Sequence, residues 1–219
     1  MIGGTPMNTC VIFGAADFDR LLAPIGEADL VIAADGGLAH TRALGLDPHI
    51  ILGDFDSLGY VPEGAQVYPV EKDDTDTMLA VRKGLEAGFR RFVIYGALDG
   101  PRLDHTVANL QTLLYLADHG ARGYLIGKEQ TVTALRNETI RFPAHFTGTL
   151  SLFCLGEAAR GVTLRGLHYG LENGSLSSGF PLGVSNHFTG EAASVTVEAG
   201  CLIAIYDSCN GFAPEDTLC

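Results

Sequence analysis

Acidic side chains cluster in three motifs that each follow a short apolar run: ADGG at 34–37, GDFDS at 53–57 and DDTDT at 73–77. An open parallel sheet binds ligands outside the carboxyl ends of its strands, so we expect these motifs to meet in one crevice. Crowded carboxylates repel one another unless their charge is offset, and hard divalent cations with oxygen ligands offset it best. Mg²⁺ also bridges carboxylates to phosphates, so the motifs predict a site for Mg²⁺ and a phosphate ligand.

Two of the three motifs also have an ordinary structural explanation. ADGG fits a turn, because Asp and Gly tolerate unusual backbone angles. DDTD fits the start of a helix, where the positive end of the helix dipole favours acids. GDFDS is harder to explain this way, since two acids one residue apart after a buried strand are costly in a core. Taken together, the three motifs favour a metal site.

A fourth motif, GALDGPRLDH at 96–105, follows the next apolar run. Its glycines allow close backbone approach, and Arg102 offers planar donors suited to phosphate oxygens. Asp104 either caps a helix or faces the same crevice. Lys72 either assists Arg102 or is simply solvated. For His105 we favour packing at the first helical turn over proton transfer.

The elements that must carry these motifs alternate between short apolar runs and helix-period segments, which is typical of a parallel α/β sheet. Gly88 and Gly120 stand where two of the helices should end. The predicted strands are Cys10–Phe13, Leu30–Ala34, Ile50–Leu52, Val67–Val70, Phe92–Tyr95 and Tyr124–Ile126; the predicted helices are Leu38–Leu44, Thr75–Ala87 and Asp104–His119.

The pattern changes after Phe142, where apolar residues begin to alternate with a period of two. These runs are Thr149–Leu155, Gly161–Leu167, Ser194–Glu198 and Leu202–Tyr206, separated by Gly or Asn. We therefore predict a Rossmann-like α/β domain at 1–142 and an antiparallel β-sandwich domain at 143–219, with a loose tail from Ser208. Beyond residue 142 there are two arginines against seven acids, which suits a neutral or cationic ligand.

Composition excludes several other classes of protein. The 219 residues carry 14 Lys and Arg against 26 Asp and Glu, a formal net charge of −12, which argues against binding nucleic acid. Apolar residues make up 47%, enough to fold, and no apolar run is long enough to span a bilayer. Five cysteines without a C-x-x-C pair and an N-terminus unlike a signal peptide indicate a cytoplasmic protein with reduced thiols. Cys10 and Cys201 are expected in the core.

The four motifs, together with GVSN at 183–186, resemble the bacterial thiamine pyrophosphokinase family from about Thr9 to Asp207. The resemblance implies transfer of a pyrophosphoryl group from ATP to the hydroxyethyl oxygen of thiamine, which gives thiamine diphosphate and AMP and requires Mg²⁺. It also implies an α/β catalytic domain that binds Mg-ATP, a β-sandwich domain that binds thiamine, and a homodimer with active sites between subunits.

The resemblance also implies residue roles. Tyr169 would stack on thiamine and Ser185 would hydrogen-bond to it, although Tyr169 could instead be plain sandwich core. Phosphoryl-type transfer needs no side-chain nucleophile, and either Asp76 or Asp104 would accept the proton. The implied metal ligands are Asp54, Asp56, Asp74 and Asp76; the ATP-binding residues are Asp35, Gly36, Gly37, Lys72, Asp74, Thr75 and Arg102; the catalytic residues are Asp54, Asp76, Arg102 and Asp104; and the thiamine-binding residues are Tyr169, Ser185 and Asn186.

Two other functions fit parts of the sequence. In a phosphatase of the haloacid dehalogenase type, an apolar strand precedes Asp-x-Asp, and Asp54 would then be a covalent nucleophile. That motif belongs on the first strand, whereas here it follows the third predicted strand. A non-catalytic nucleotide or thiamine sensor would bind its ligand without releasing AMP.

Overall fold

The computed structural model describes residues 8–55, 59–69 and 73–211, and the chain divides into two compact units, Met1–Gly127 and Lys128–Cys219. The described part of the first unit has six strands and three helices. The strands are β1 Thr9–Phe13, β2 Leu30–Ala34, β3 Ile50–Gly53, β4 Gln66–Val67, β5 Arg91–Tyr95 and β6 Arg122–Ile126; the helices are α1 Gly37–Ala43, α2 Asp76–Glu86 and α3 Leu103–Asp118.

These strands form a parallel sheet in the order β6-β5-β1-β2-β3-β4. Almost every residue of β1, β2, β5 and β6 is buried, as expected for strands covered on both faces. From β1, the strands β2, β3 and β4 follow one another toward one edge of the sheet, whereas β5 and β6 lie on the other side of β1. The strand order therefore reverses between β1 and β5, the point at which open α/β sheets bind ligands.

The predicted parallel α/β fold is confirmed, and the three helices lie within one or two residues of their predicted bounds. The strand predicted at Val67–Val70 is instead the short β4, Gln66–Val67, and Val70 lies outside the described residues. None of the helices in the described ranges is long and apolar enough to cross a membrane.

The described residues of the second unit form two antiparallel sheets, β12-β9-β14-β7 and β11-β10-β13-β8. A single apolar cluster packs residues of both sheets together, including Phe142 and Val195 from one sheet and Leu152 and Tyr206 from the other. The predicted β-sandwich is confirmed. Its strands are β7 Gln130–Arg136, β8 Thr139–Phe142, β9 Thr149–Cys154, β10 Ala158–Arg165, β11 Leu171–Ser177, β12 Gly183–His187, β13 Ala193–Thr196 and β14 Cys201–Asp207.

The division between the units falls at Gly127, whereas the sequence pattern placed it after Phe142. The difference arises because β7 pairs with β14 and β8 pairs with β13, so both strands belong to the sandwich. A loose tail was expected from Ser208, but the described residues from Ser208 onward are ordered. Ser208–Asn210 forms a 3-10 turn, in which Ser208 is buried and the Asn210 side chain accepts a hydrogen bond from the Thr147 amide at 2.8 Å. Cys10 and Cys201 are buried as predicted.

Gly37 sets how closely α1 approaches β1. A Cβ added at this position would overlap the carbonyl oxygen of Phe13, a backbone atom that has no side-chain freedom with which to move away. Gly37 therefore lets the turn after β2 lie directly against the end of β1.

Gly37→Ala should lower the free energy of unfolding by about 2 kcal/mol or more, because the backbone must shift to admit the methyl group. Urea denaturation measures this change. The matched control is Gly26→Ala, whose Cβ meets nothing closer than 3.6 Å and should change stability by less than ~0.5 kcal/mol. Equal stability of the two variants would contradict the close packing of α1 on β1.

Candidate active site

A cleft of about 660 Å³ opens at the carboxyl ends of the first unit's strands. All four sequence motifs contribute to it, together with the segment that follows β1. Its lining comprises Gly14–Ala16 after β1, Ala34 and Asp35 at the end of β2, Asp54 after β3, Asp74–Thr77 at the start of α2, Gly96–Leu98 and Gly100–Arg102 between β5 and α3, and His105, Thr106 and Asn109 of α3.

The loops after β2 and β3 bring Asp35 and Asp54 to this cleft. The Asp35 amide donates to the Leu52 carbonyl at 2.8 Å, which prolongs the pairing of β2 with β3. Gly53 lets the two loops touch, because a Cβ there would come within 3.0 Å of the Asp35 Cα. Phe55 is buried and anchors the far side of the loop in the core, so Asp54 is held between two buried residues, Leu52 and Phe55.

The start of α2 supplies the third group of acids. Thr75 is the N-cap, and its side-chain oxygen accepts a hydrogen bond from the Met78 amide at 3.2 Å. Asp76 lies in the first turn, where the helix dipole stabilises a carboxylate. Asp74, just before the helix, forms an ion pair with Arg82 of α2 at 3.2 Å, so part of the acidic charge is already offset.

Arg102 stands at the mouth of the cleft, paired with Asp104. Its Nη2 and Nε donate to the two Asp104 carboxylate oxygens at 2.6 and 3.3 Å, and both side chains remain about two-thirds exposed. The pair lowers the pKa of Asp104 and raises the pKa of Arg102, chiefly through these hydrogen bonds. Because α3 begins at Leu103 with Arg102 as its cap residue, Asp104 is not the N-cap considered above. His105 is exposed and lines the cleft instead of packing at the helix start.

Several predicted site residues lie apart from this lining. Gly36 and Gly37 form the turn into α1, and Asp104 reaches the cleft only through Arg102. Asp56 and Lys72 lie outside the described residues. Within the described ranges, no group of three or more His, Cys, Asp or Glu side chains is arranged to hold a metal ion.

The predicted thiamine-binding residues belong to the second unit. Tyr169 is 62% exposed, which excludes the alternative that it is sandwich core. The Asn186 side chain is buried and ties β12 to the Tyr169 backbone: its Oδ1 accepts from the Tyr169 amide at 2.9 Å and its Nδ2 donates to the Tyr169 carbonyl at 2.7 Å. The Ser185 amide donates to the Ser151 hydroxyl at 3.0 Å.

Both parts of the chain match family models of one enzyme. Residues 24–125 match the model described as "Thiamin pyrophosphokinase, catalytic domain", and residues 137–202 match "Thiamin pyrophosphokinase, vitamin B1 binding domain". The chain belongs to the thiamine pyrophosphokinase family. Enzymes of this family are transferases that make thiamine diphosphate, and they use ATP as co-substrate.

Individual relatives agree with this membership. The thiamine pyrophosphokinase of Bacillus subtilis is 27% identical over 195 residues, which cover 82% of this chain and 87% of the relative. A crystal structure of the Bacillus subtilis protein has a TM-score of 0.77 at 25% identity and covers 91% of this chain and 98% of that one. A yeast thiamin pyrophosphokinase at 16% identity shares the fold, with a TM-score of 0.71 over 93% of this chain and 87% of its own.

Three parts of the cleft lining were not predicted from the sequence: the segment 14–16, Thr106 and Asn109. The small residues of Gly14-Ala15-Ala16 directly after the first strand were an available signal, because the first strand borders the point where the strand order reverses. Asn109 gave no local signal, since a polar residue within a helix is ordinarily solvated.

Arg102→Gln should raise the pKa of Asp104 toward its ordinary value, because the variant loses both the charge and the paired donors. NMR titration of the side-chain carboxyl groups measures this shift. A carboxylate with a lowered pKa stabilises the fold above its unfolded pKa and loses that contribution as pH falls through the folded pKa. The variant should therefore show a smaller loss of stability on acidification.

The control is Arg165→Gln, which removes a comparable exposed partner from Glu172 in the second unit. It should leave the Asp104 titration unchanged. An Asp104 pKa that is the same in the unmodified chain and in Arg102→Gln would contradict the pairing.

Proposed function

We propose that this chain transfers the pyrophosphoryl group of ATP to the hydroxyethyl oxygen of thiamine, giving thiamine diphosphate and AMP. The observation that carries the proposal is one cleft at the sheet's reversal point, lined by carboxylates from three elements and by Arg102, in a chain of the thiamine pyrophosphokinase family. The test incubates the purified chain with thiamine, ATP and Mg²⁺ and assays AMP and thiamine diphosphate. Binding without AMP release would favour a sensor, and phosphate release from simple esters would favour a phosphatase.

The reaction forms one bond and breaks one. The thiamine hydroxyl oxygen attacks the β-phosphorus of ATP, and the bond from that phosphorus to the oxygen shared with the α-phosphate breaks. AMP leaves with that oxygen, and the hydroxyl proton passes to a carboxylate. The protein's contribution is alignment and stabilisation of charge, so no side-chain nucleophile is required.

The carboxylates suit Mg²⁺ as ligands. Asp54, Asp74 and Asp76 offer only oxygen donors and line the same cleft. Mg²⁺ ordinarily takes one or two carboxylates together with substrate phosphates, so a closed cage of three acids is not required before ATP binds. We propose Asp54 and Asp76 as ligands, with Asp56 and Asp74 as further members of the set. Bound Mg²⁺ would offset the charge of the phosphates and the acids together.

Arg102 is the proposed phosphate contact in this site. The pairing with Asp104 orients the guanidinium while using two of its five N–H donors, which leaves others for phosphate oxygens. Of the two candidate bases, Asp76 lines the cleft and Asp104 does not, so we propose that a carboxylate oxygen of Asp76 that is not bound to Mg²⁺ accepts the proton. Asp35, Thr75 and Lys72 are proposed to contact ATP, and Gly36 and Gly37 to place Asp35.

The second unit is proposed to bind thiamine through Tyr169. An exposed aromatic ring in a region poor in basic residues suits a cationic heterocycle, with an attraction of roughly 0.5–2 kcal/mol. Asn186 fixes the backbone on both sides of the Tyr169 Cα, so its proposed role is to orient the ring. Ser185 lies on the same strand as Asn186 and is proposed to hydrogen-bond to thiamine.

We also propose that the active protein is a cytoplasmic homodimer with active sites at the subunit interface. Phe180 and Leu182 are large apolar side chains that are 66% and 57% exposed, which is typical of residues covered by a partner. Cys10, Cys154, Cys201 and Cys209 are free thiols, as expected in a reducing compartment. Sedimentation equilibrium tests the dimer, and a monomer at assay concentration would contradict it.

Asp54→Asn should lower kcat at least about 100-fold, a rise of ~2.7 kcal/mol in the barrier, because a proposed Mg²⁺ ligand loses its charge while its shape is kept. Steady-state kinetics and a Mg²⁺ titration of ATP binding measure the change. Asp47→Asn, at an exposed position before β3, is the control and should retain activity. Full activity in Asp54→Asn would contradict the metal role.

Tyr169→Ala should raise KM for thiamine by about 2- to 30-fold and leave KM for ATP unchanged, since stacking acts on thiamine alone. Tyr169→Phe keeps the aromatic face and should stay near the unmodified value. Tyr60→Ala, at another exposed tyrosine in the first unit, controls for loss of surface aromatics. A change confined to KM for ATP would be the opposite of the expected result.

A further inference from the structure

Two side chains of α3 donate hydrogen bonds to the backbone of the loop between β5 and α3, residues 96–102. Asn109 Nδ2 donates to the Ala97 carbonyl at 2.8 Å, and Thr106 Oγ1 donates to the Leu98 carbonyl at 3.1 Å. Asn109 is only 6% exposed, and Ala97 is buried as well. A buried side-chain amide that bonds the backbone twelve residues away fixes the path of that backbone.

The same loop also contacts a second part of the cleft lining, the segment 14–16. The Ala16 amide donates to the Gly96 carbonyl at 3.0 Å, and the Gly14 amide donates to the Tyr95 carbonyl at 2.8 Å. Segment 14–16 therefore takes its position from the end of β5 and the start of the 96–102 loop. Both segments line the cleft, and the loop ends at Arg102.

We propose that Asn109 is a positioning residue for the nucleotide: its bond to Ala97 sets the 96–102 loop, and through it segment 14–16 and Arg102, in the geometry that receives ATP. This inference rests on the proposed function, because it takes ATP as the occupant of the cleft. Removing the donor would leave a buried carbonyl without its partner, and the loop would move to satisfy it. Small displacements of substrate-positioning groups cost large factors in rate and affinity.

The test compares Asn109→Asp with Gln111→Ala. Asp has nearly the shape of Asn but cannot donate when ionised, and Gln111 is an exposed residue on the same helix. Because Asn109 itself lines the acidic cleft, Asn109→Leu is measured beside Asn109→Asp: it removes the donor without adding a charge that would repel ATP, and it should weaken ATP binding to a similar degree. Weaker ATP binding in Asn109→Asp alone would overturn the proposal. The measurements are ATP affinity by calorimetry without thiamine, and the separate KM values for ATP and thiamine. We expect Asn109→Asp to bind ATP about tenfold more weakly with KM for thiamine unchanged, and Gln111→Ala to match the unmodified chain.

A purely structural role would give a different result. It would lower kcat in proportion to the folded fraction and leave ATP affinity and both KM values of the folded molecules unchanged, which would overturn the proposal. Should Asn109→Asp fail to fold, Thr106→Val and Thr106→Ser test the other bond to the same loop. Val removes the hydroxyl donor at constant shape and should weaken ATP binding more than Ser, which keeps it. Equal ATP affinities for these two variants would overturn the proposal.

Calorimetry requires no turnover, so the two claims can fail separately. If the unmodified chain binds ATP but makes no thiamine diphosphate, the proposed function falls, and the affinity of Asn109→Asp still decides the role of Asn109. If the unmodified chain binds no ATP, both claims are wrong.

Discussion

Electrostatic repulsion among acids gathered at one sheet edge is the constraint on which the site depends. Asp35, Asp54, Asp74 and Asp76 all line one cleft, although they come from two strand ends and the start of a helix. The fold offsets part of this charge through Arg82 on Asp74 and through the dipole of α2 at Asp76. In the proposed reaction, a bound cation that shares these oxygens with phosphate groups would offset the rest, and this would link the acidic cleft to the chemistry.

Backbone geometry delivers the acids to that edge. β1 pairs in parallel with β2 on one side and with β5 on the other, so the three strands end next to one another. The loops that follow these strands meet at the carboxyl end of β1. Small residues allow the contacts: Gly37 lies against the Phe13 carbonyl, and Gly53 lies against Asp35. The position of each functional side chain is thus set by packing beneath the cleft, where Leu52, Phe55 and Asn109 are buried.

Much of this arrangement was predictable, because a parallel strand covered on both faces appears in the sequence as a continuous apolar run followed by a loop. The domain division was less accessible. β7 follows β6 directly, without a helix between them, and its pairing with β14, some seventy residues later, assigns it to the sandwich. Asn109 and Asn186 could not be interpreted locally either, since the carbonyl groups that they bind belong to segments brought near only by folding. The two alternatives for Asp104 could not be separated from the sequence, and the structure places the cap two residues earlier, at Arg102.

The most direct test of this account is the affinity of the unmodified chain for an ATP analogue with a methylene group between the α- and β-phosphates, measured by calorimetry with and without Mg²⁺. We expect binding about 100-fold tighter with Mg²⁺, a difference of ~2.7 kcal/mol, because the acids repel the free triphosphate and attract its magnesium complex. Equal or tighter binding of the analogue after chelation of Mg²⁺ would contradict it.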